Sequence, residues 1–243
     1  GTIPGQPNRT LLRYRIAAAD TAGAAVRVPY ADDPSLNFAC FVYNGVPAWT
    51  AATRSVHPGG TGHVYPAELL NSLPVHSLIT RYEDLRACNA HAATGDTGQQ
   101  IPKANDAARS VFNWEGAFVY EGIVYDHINY RLRQSNDRYT GDGKRSMRFR
   151  FNDGHYFQAR DHEGKKVAAK WESINTGKMS RFGGANVFGV REVANAQLWR
   201  LFGVDMPHYY HAHLRVLDGA EEAPAGTNSQ YLGDFWGLAM FYE

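Results

Sequence analysis

Lys144-Arg145-Ser146-Met147-Arg148-Phe149-Arg150-Phe151 is the stretch on which the fold turns. Met147, Phe149 and Phe151 alternate with Lys144, Ser146, Arg148 and Arg150. That is the two-residue period of a β-strand with one face on a core and the other outside it. Ile123 to Arg133 repeats the pattern, with Ile128, Tyr130 and Leu132 on one side and His127, Asn129, Arg131 and Arg133 on the other. Glu121-Gly122 fits a two-residue hairpin turn back to a strand over Ala117 to Tyr120. Gln134 to Gly143, polar and Gly-containing, is the loop between the two basic strands.

Working outward, Phe188 to Phe202 has helical spacing. Val190, Val193, Ala194, Leu198, Leu201 and Phe202 form its apolar stripe, and Gly203 ends it. Strands come next at His211 to Leu217 and Phe235 to Tyr242. Toward the N-terminus, Leu73 to Thr80 reads as a short buried strand, and Thr80 with Glu83 as a capping box opening a helix. Ala92 to Ala108 is poorly periodic and reads as a loop. Leu12, Tyr14 and Ile16 alternate, Val26 to Tyr30 forms a return strand, and Phe38 to Tyr43 forms a third. A sandwich needs about seven strands. Two readings stay open: the last strands of an immunoglobulin- or fibronectin-like module, or a β-extension packed on the adjoining domain. The expected architecture is α+β and rich in antiparallel sheet. Residues 1–54 would be the β module, 55–72 a linker, and 73–243 a domain with one main helix.

The 243 residues are 44% hydrophobic and 20% charged, values of a folded chain and not of a disordered one. With 25 Lys and Arg against 24 Asp and Glu, bulk charge does not indicate a nucleic-acid binder. No apolar run approaches the ~20 residues of a membrane-spanning helix. Two cysteines, Cys40 and Cys88, exclude a disulfide-dense scaffold and leave open one disulfide or two free thiols. Five Trp and 14 Tyr could form a sugar-stacking platform, but Trp199 in a helix and Trp236 in a strand read as core.

Charge is concentrated in one place. Residues 131–150 hold Arg131, Arg133, Arg138, Lys144, Arg145, Arg148 and Arg150 against Asp137 and Asp142, a local balance of +5. Cationic side chains on adjacent strands can cradle phosphate oxygens. They can equally form a solvated face paired with carboxylates, such as those of the acidic segment near the C-terminus. His211 and His213 share a strand face, the spacing of a metal pair, with His208 before them and no third ligand in the pattern.

Tyr130-Arg131-Leu132-Arg133 followed by Lys144 to Phe151 resembles the basic-strand pattern of the spore coat protein H family, the CotH-like secreted kinases. Lys170-Trp171 with the helix after it, Gly203-Val204-Asp205-Met206-Pro207 and Gly233-Asp234-Phe235-Trp236-Gly237-Leu238 resemble later parts of that family, so the likeness covers roughly 73–243. It implies the N-lobe-like sheet of a kinase-like fold, ATP with Mg²⁺ or Mn²⁺, phosphoryl transfer to Ser of extracellular or coat proteins, and an extracellular or cell-surface location. It further implies Lys144 on the nucleotide phosphates and Glu192 as its helix partner, with Arg131, Arg133 and Arg148 beside them. The family's Gly after the Arg-Leu-Arg stretch is Gln134 here, and no catalytic-loop Asp with its Asn comes after. The chain therefore reads as a part whose strand Phe235–Tyr242 awaits a second lobe or a protein partner. A non-catalytic extracellular assembly subunit is the alternative.

Overall fold

The computed structural model describes residues 2–29, 37–51, 62–90, 114–133, 146–161, 163–177, 189–225 and 230–243. The Ala92–Ala108 and Gln134–Gly143 loops lie outside the described residues, as does Lys144. Seven strands close into a barrel: β7 (Val75–Ile79), β8 (Trp114–Tyr120), β9 (Ile123–Leu132), β10 (Met147–Arg150), β11 (Ser173–Gly177), β12 (Tyr209–Leu217) and β13 (Phe235–Tyr242). Around the barrel their order is β10-β11-β13-β12-β7-β8-β9, with β9 bonded back to β10. Neighbours are antiparallel except β12 and β7, which run parallel. Among the described residues three short α-helices accompany the strands: α1 (Ala67–Leu70), α2 (Tyr82–Ala90) and α3 (Val190–Leu201).

This corrects the expected α+β architecture. The chain is mostly β, and its main sheet is a closed mixed barrel, unlike an open kinase N-lobe sheet with a helix. Closure hinges on β7 and β12, which pair His213 with Val75 and Leu217 with Ile79. Strands so far apart in sequence carry no local signal of their pairing, whereas the antiparallel neighbours are announced by turns. Closure also removes the open edges that a free sheet would present. The expected bare strand Phe235–Tyr242 is corrected with it: β13 lies between β11 and β12, and Phe241, Trp236 and Ala239 are buried in the barrel's own core.

The alternation read from sequence explains the filling. Ile128, Tyr130 and Leu132 of β9 and Met147 and Phe149 of β10 point inward and are buried. They meet Leu78, Phe118, Ile174, Ala212, Leu214 and Phe241 from the other strands. Phe157 enters from the segment between β10 and β11, held by the paired backbones of Phe157 and Trp171. His76 stands among these rings, with Phe241, Tyr120 and Phe118 centred 4.4, 4.5 and 5.2 Å away. Side chains fill the barrel, as in other small barrels. The turn Glu121-Gly122 forms as expected, with both residues at positive φ (50° and 75°). Thr80 does not cap α2 through its side chain; its Oγ1 reaches Glu115 O (3.2 Å) and Tyr130 Oη (2.8 Å) instead.

The N-terminal strands are β1 (Thr10–Tyr14), β2 (Ile16–Ala19), β3 (Ala25–Val28), β4 (Phe38–Val42), β5 (Trp49–Thr50) and β6 (Val64–Tyr65). They form three two-stranded sheets, β1-β4, β2-β3 and β5-β6. The first and third pack against the barrel. Arg13 Nε donates to both carboxylate oxygens of buried Asp126 in β9 (2.9 and 2.8 Å). Trp49, Val46 and Leu70 form a second apolar cluster with Phe235. Cys40 and Cys88 are both free thiols.

Candidate anion-binding face

The outward residues of β9 and β10 alternate with the buried ones, and register decides which of them meet. Arg131 stands directly opposite Arg148. Arg148 stands opposite Asn175, Asn175 opposite Tyr242, and Tyr242 opposite Tyr209. One half-buried row therefore crosses five strands: Arg131, Arg148, Asn175, Tyr242, Tyr209. At its aromatic end the Tyr209 and Tyr242 rings stack (5.1 Å between centroids, 25° between planes). Arg133, two residues from Arg131 on the same side of β9, lays its guanidinium over the Tyr242 ring at 4.9 Å. Arg148 Nη2 donates to Ser173 Oγ (3.3 Å). Further along, Arg150 pairs with Glu172 at 2.9 Å.

Like charges directly opposite one another on a strand pair are unfavourable. An anion between the two guanidiniums would turn that repulsion into attraction, and the planar forks suit the oxygens of a phosphate or carboxylate. Three of the sequence-derived candidates, Arg131, Arg133 and Arg148, thus share one face. The aromatic ledge and the polar Asn175 and Ser173 were missed. The signal for Tyr242 was present, because the parity of Phe235 to Tyr242 sets Tyr242 opposite in facing to buried Phe241.

Glu192 lies in the first turn of α3, half-buried, on the side where Val193 and Ala196 also turn inward. The helix packs against β12. Lys144 lies outside the described residues, so the Lys144–Glu192 pairing has no geometry to report. The stripe expected to bury α3 is corrected. Ala196 is the buried position, while Leu201 and Phe202 are 83% and 81% exposed and Val190, Leu198 and Trp199 are exposed as well. Rotating the helix this way puts Glu192 rather than Leu201 toward the barrel.

The histidine pair separates by role. His213 is buried, donates from Nδ1 to the Leu70 carbonyl (2.7 Å) and sits edge-on to Phe235 (5.2 Å). His211 is half-buried on the same outward side. Among the described residues no group of three or more His, Cys, Asp or Glu is arranged to hold a metal ion. Trp236 is a core residue as expected, with Trp49 and Trp171, whereas Trp199, expected in the core, is 54% exposed because α3 turns it outward.

In the acidic segment near the C-terminus, Glu222 meets Arg9 and Arg215. Arg9 Nη1 donates to Glu222 Oε2 (2.7 Å) and Asp234 Oδ2 (2.6 Å), and Arg215 pairs with the same Glu222. Burial raises the Asp234 carboxyl above the usual carboxylate range, against the pull of Arg9. Arg9 adopts φ 67°, a strained backbone for a side chain other than glycine. No sequence pattern links Arg9 to residues more than two hundred positions away.

No family model matches this chain, and a search of curated proteins returns no match.

Proposed function

We propose that the outward face of β9 and β10 binds the phosphates of a nucleotide, in a protein that works outside the cell or at its surface. The opposition of Arg131 and Arg148, with Arg133 beside them, carries this reading. Two guanidinium forks can hold two sets of phosphate oxygens, and the Tyr209–Tyr242 stack, with Arg133 laid over Tyr242, stands next to them. The ligand class, ATP with Mg²⁺ or Mn²⁺, comes from the CotH-like resemblance, as does a role in phosphorylating extracellular or coat proteins. The three arginines fit the phosphates. A divalent cation would be held chiefly by the phosphate oxygens, and it would supply charge neutralisation at the transferred group. Binding is assigned to this face, and no catalytic base is.

Calorimetric titration of the chain with ATP, with and without Mg²⁺ or Mn²⁺, tests it. Binding that weakens about tenfold in Arg131→Ala and in Arg148→Ala is the expected result, one charge-assisted contact each. Absence of binding, or binding that neither substitution changes, would overturn it.

A second reading, a non-catalytic assembly subunit, is favoured by one observation: the exposed Leu198, Trp199, Leu201 and Phe202 of the α3 end form an apolar surface of the kind found at protein contacts. Light scattering distinguishes it. Association that rises with concentration and is abolished in the Leu201→Lys, Phe202→Lys double variant supports assembly, and a monomer at all concentrations counts against self-assembly.

A further inference from the structure

We infer that copies of this chain associate head to tail, with the β2–β3 ribbon of one copy laid on the C-terminal end of α3 of the next. The inference rests on reading the α3 end as a protein contact, and it names the surface that covers it. It is independent of the arginine face on β9 and β10.

The ribbon is apolar and uncovered. Among the described residues β2 and β3 pair only with each other, and both strands are exposed along their whole length. Register sorts their side chains. Ile16 stands opposite Val28 and Ala18 opposite Val26, so these four share one face, while Ala17, Ala19, Ala25 and Arg27 share the other. Ile16 and Val26 are 54% and 57% exposed. A two-stranded ribbon alone is marginally stable in water. This one is nonetheless held in shape at its tip, where Asp20 Oδ1 accepts from the Ala22 and Ala24 amides (2.9 and 2.8 Å) and Gly23 turns the chain at φ 89°. Packing its apolar face on a partner supplies the burial it lacks.

The α3 end is the second uncovered surface. Leu198, Trp199, Leu201, Phe202 and Val204 are between 42% and 83% exposed. They do not stand on a frayed terminus. The Gly203 amide donates to the Arg200 carbonyl (2.9 Å) and the Val204 amide to the Trp199 carbonyl (3.0 Å), with Gly203 at φ 78°, which locks the helix end.

Size and charge select the occupant. At roughly 150–250 Å² for a whole aromatic side chain, the bare parts of Trp199 and Phe202 alone offer on the order of 250 Å². The two leucines and Val204 extend this toward the ~800 Å² that a stable interface takes from each partner. The ribbon face, with one Ile, two Val and one Ala, is too small to hold its own copy. Two α3 ends meeting about a two-fold axis would bring exposed Arg200, in the middle of the patch, toward its own copy. The ribbon brings Asp20 instead, exposed at its tip and held in the turn through Oδ1. Apolar face on apolar end, with Asp20 toward Arg200, is the complementary arrangement. Because the two surfaces differ, the contact is heterologous and repeats from copy to copy.

Light scattering of two variants, alone and mixed, tests the inference. Val26→Lys spoils the ribbon, and the Leu201→Lys, Phe202→Lys double variant spoils the α3 end. Each alone should weaken association at least about tenfold, because lysine then sits in the apolar contact. Mixed, they should form a 1:1 heterodimer, the intact ribbon of the double variant on the intact α3 end of Val26→Lys. Each variant supplies only its unaltered surface, so the mixture reports on the contact whether or not the altered ribbon keeps its shape. Association that the double variant abolishes and Val26→Lys leaves unchanged would overturn the ribbon contact and leave assembly through α3 standing. Loss in both variants with no heterodimer on mixing would also overturn it. A native chain that stays monomeric at all concentrations, or that floats with phosphatidylcholine vesicles in place of self-associating, would overturn this inference and the self-assembly reading together.

Discussion

His76 Nε2 lies 2.9 Å from Tyr210 Oη in the middle of the barrel, with both residues closed off from water. Burial lowers the imidazole from its usual 6.5 to about 3 and raises the Tyr210 hydroxyl well above its ordinary value, so both are neutral at pH 7. Desolvation is the cause for each, because the surrounding rings offer a charge nothing in return for lost hydration.

Acid should therefore act through His76. In the unfolded chain the imidazole takes a proton below pH 6.5, while in the folded barrel it resists until about pH 3. The unfolded state binds more protons between these values, so the stability present above pH 6.5 falls as pH drops through that window, by up to about 1.4 kcal/mol per pH unit. Urea unfolding from pH 7 to pH 4 should show a steeper loss in the native chain than in His76→Phe. Equal slopes would show that His76 does not carry the acid response.

Arg148→Gln tests the repulsion across β9 and β10. Removing one of two directly opposed charges should raise stability at low salt by about 0.2–1 kcal/mol, less whatever the Ser173 hydrogen bond contributes. The gain should fade in 1 M salt, where charges are screened over about 3 Å. Denaturant midpoints at the two salt concentrations provide the comparison. Destabilisation at low salt would mean that the row is already neutralised.

Asp234→Asn should be severe. The Asp234 side chain is 1% exposed and meets Arg9, itself almost fully buried. Removing the negative charge leaves a buried guanidinium poorly compensated, a loss of about 3–5 kcal/mol. Thermal unfolding would register it. A shift of only a degree or two would show that Glu222 suffices for Arg9 and Arg215 together.

Gly116 sits at the irregularity between β8 and β9, where the register shifts before Phe118. A Cβ there would come 2.7 Å from the Ile79 carbonyl oxygen and 3.0 Å from Leu78 Cδ1. Because the first of these is backbone of the neighbouring strand, Gly116→Ala should cost about 1–3 kcal/mol. Chemical denaturation measures it, and a neutral outcome would mean that β7 can move aside.

Much of the barrel's local structure was legible in the residues themselves. Alternation in His127–Arg133 and Met147–Phe151 set which side chains face the core, and β13 spans the residues read as a strand, Phe235–Tyr242. The physical reason is that strand period and turn chemistry are local: two residues per repeat, and a Glu-Gly turn that admits positive φ. Three arginines of the outward face could be named for the same reason. Tertiary structure decided the rest. The parallel pairing of β7 with β12 closed the barrel, and closure buried β13, brought Tyr242 and Tyr209 beside the arginines and turned α3 so that Leu201 and Phe202 face outward. The contacts of Arg9 with Asp234 and of Arg13 with Asp126 belong to the same class. They join residues whose separation along the chain carries no signal, because which distant surfaces meet depends on how the assembled elements share one core.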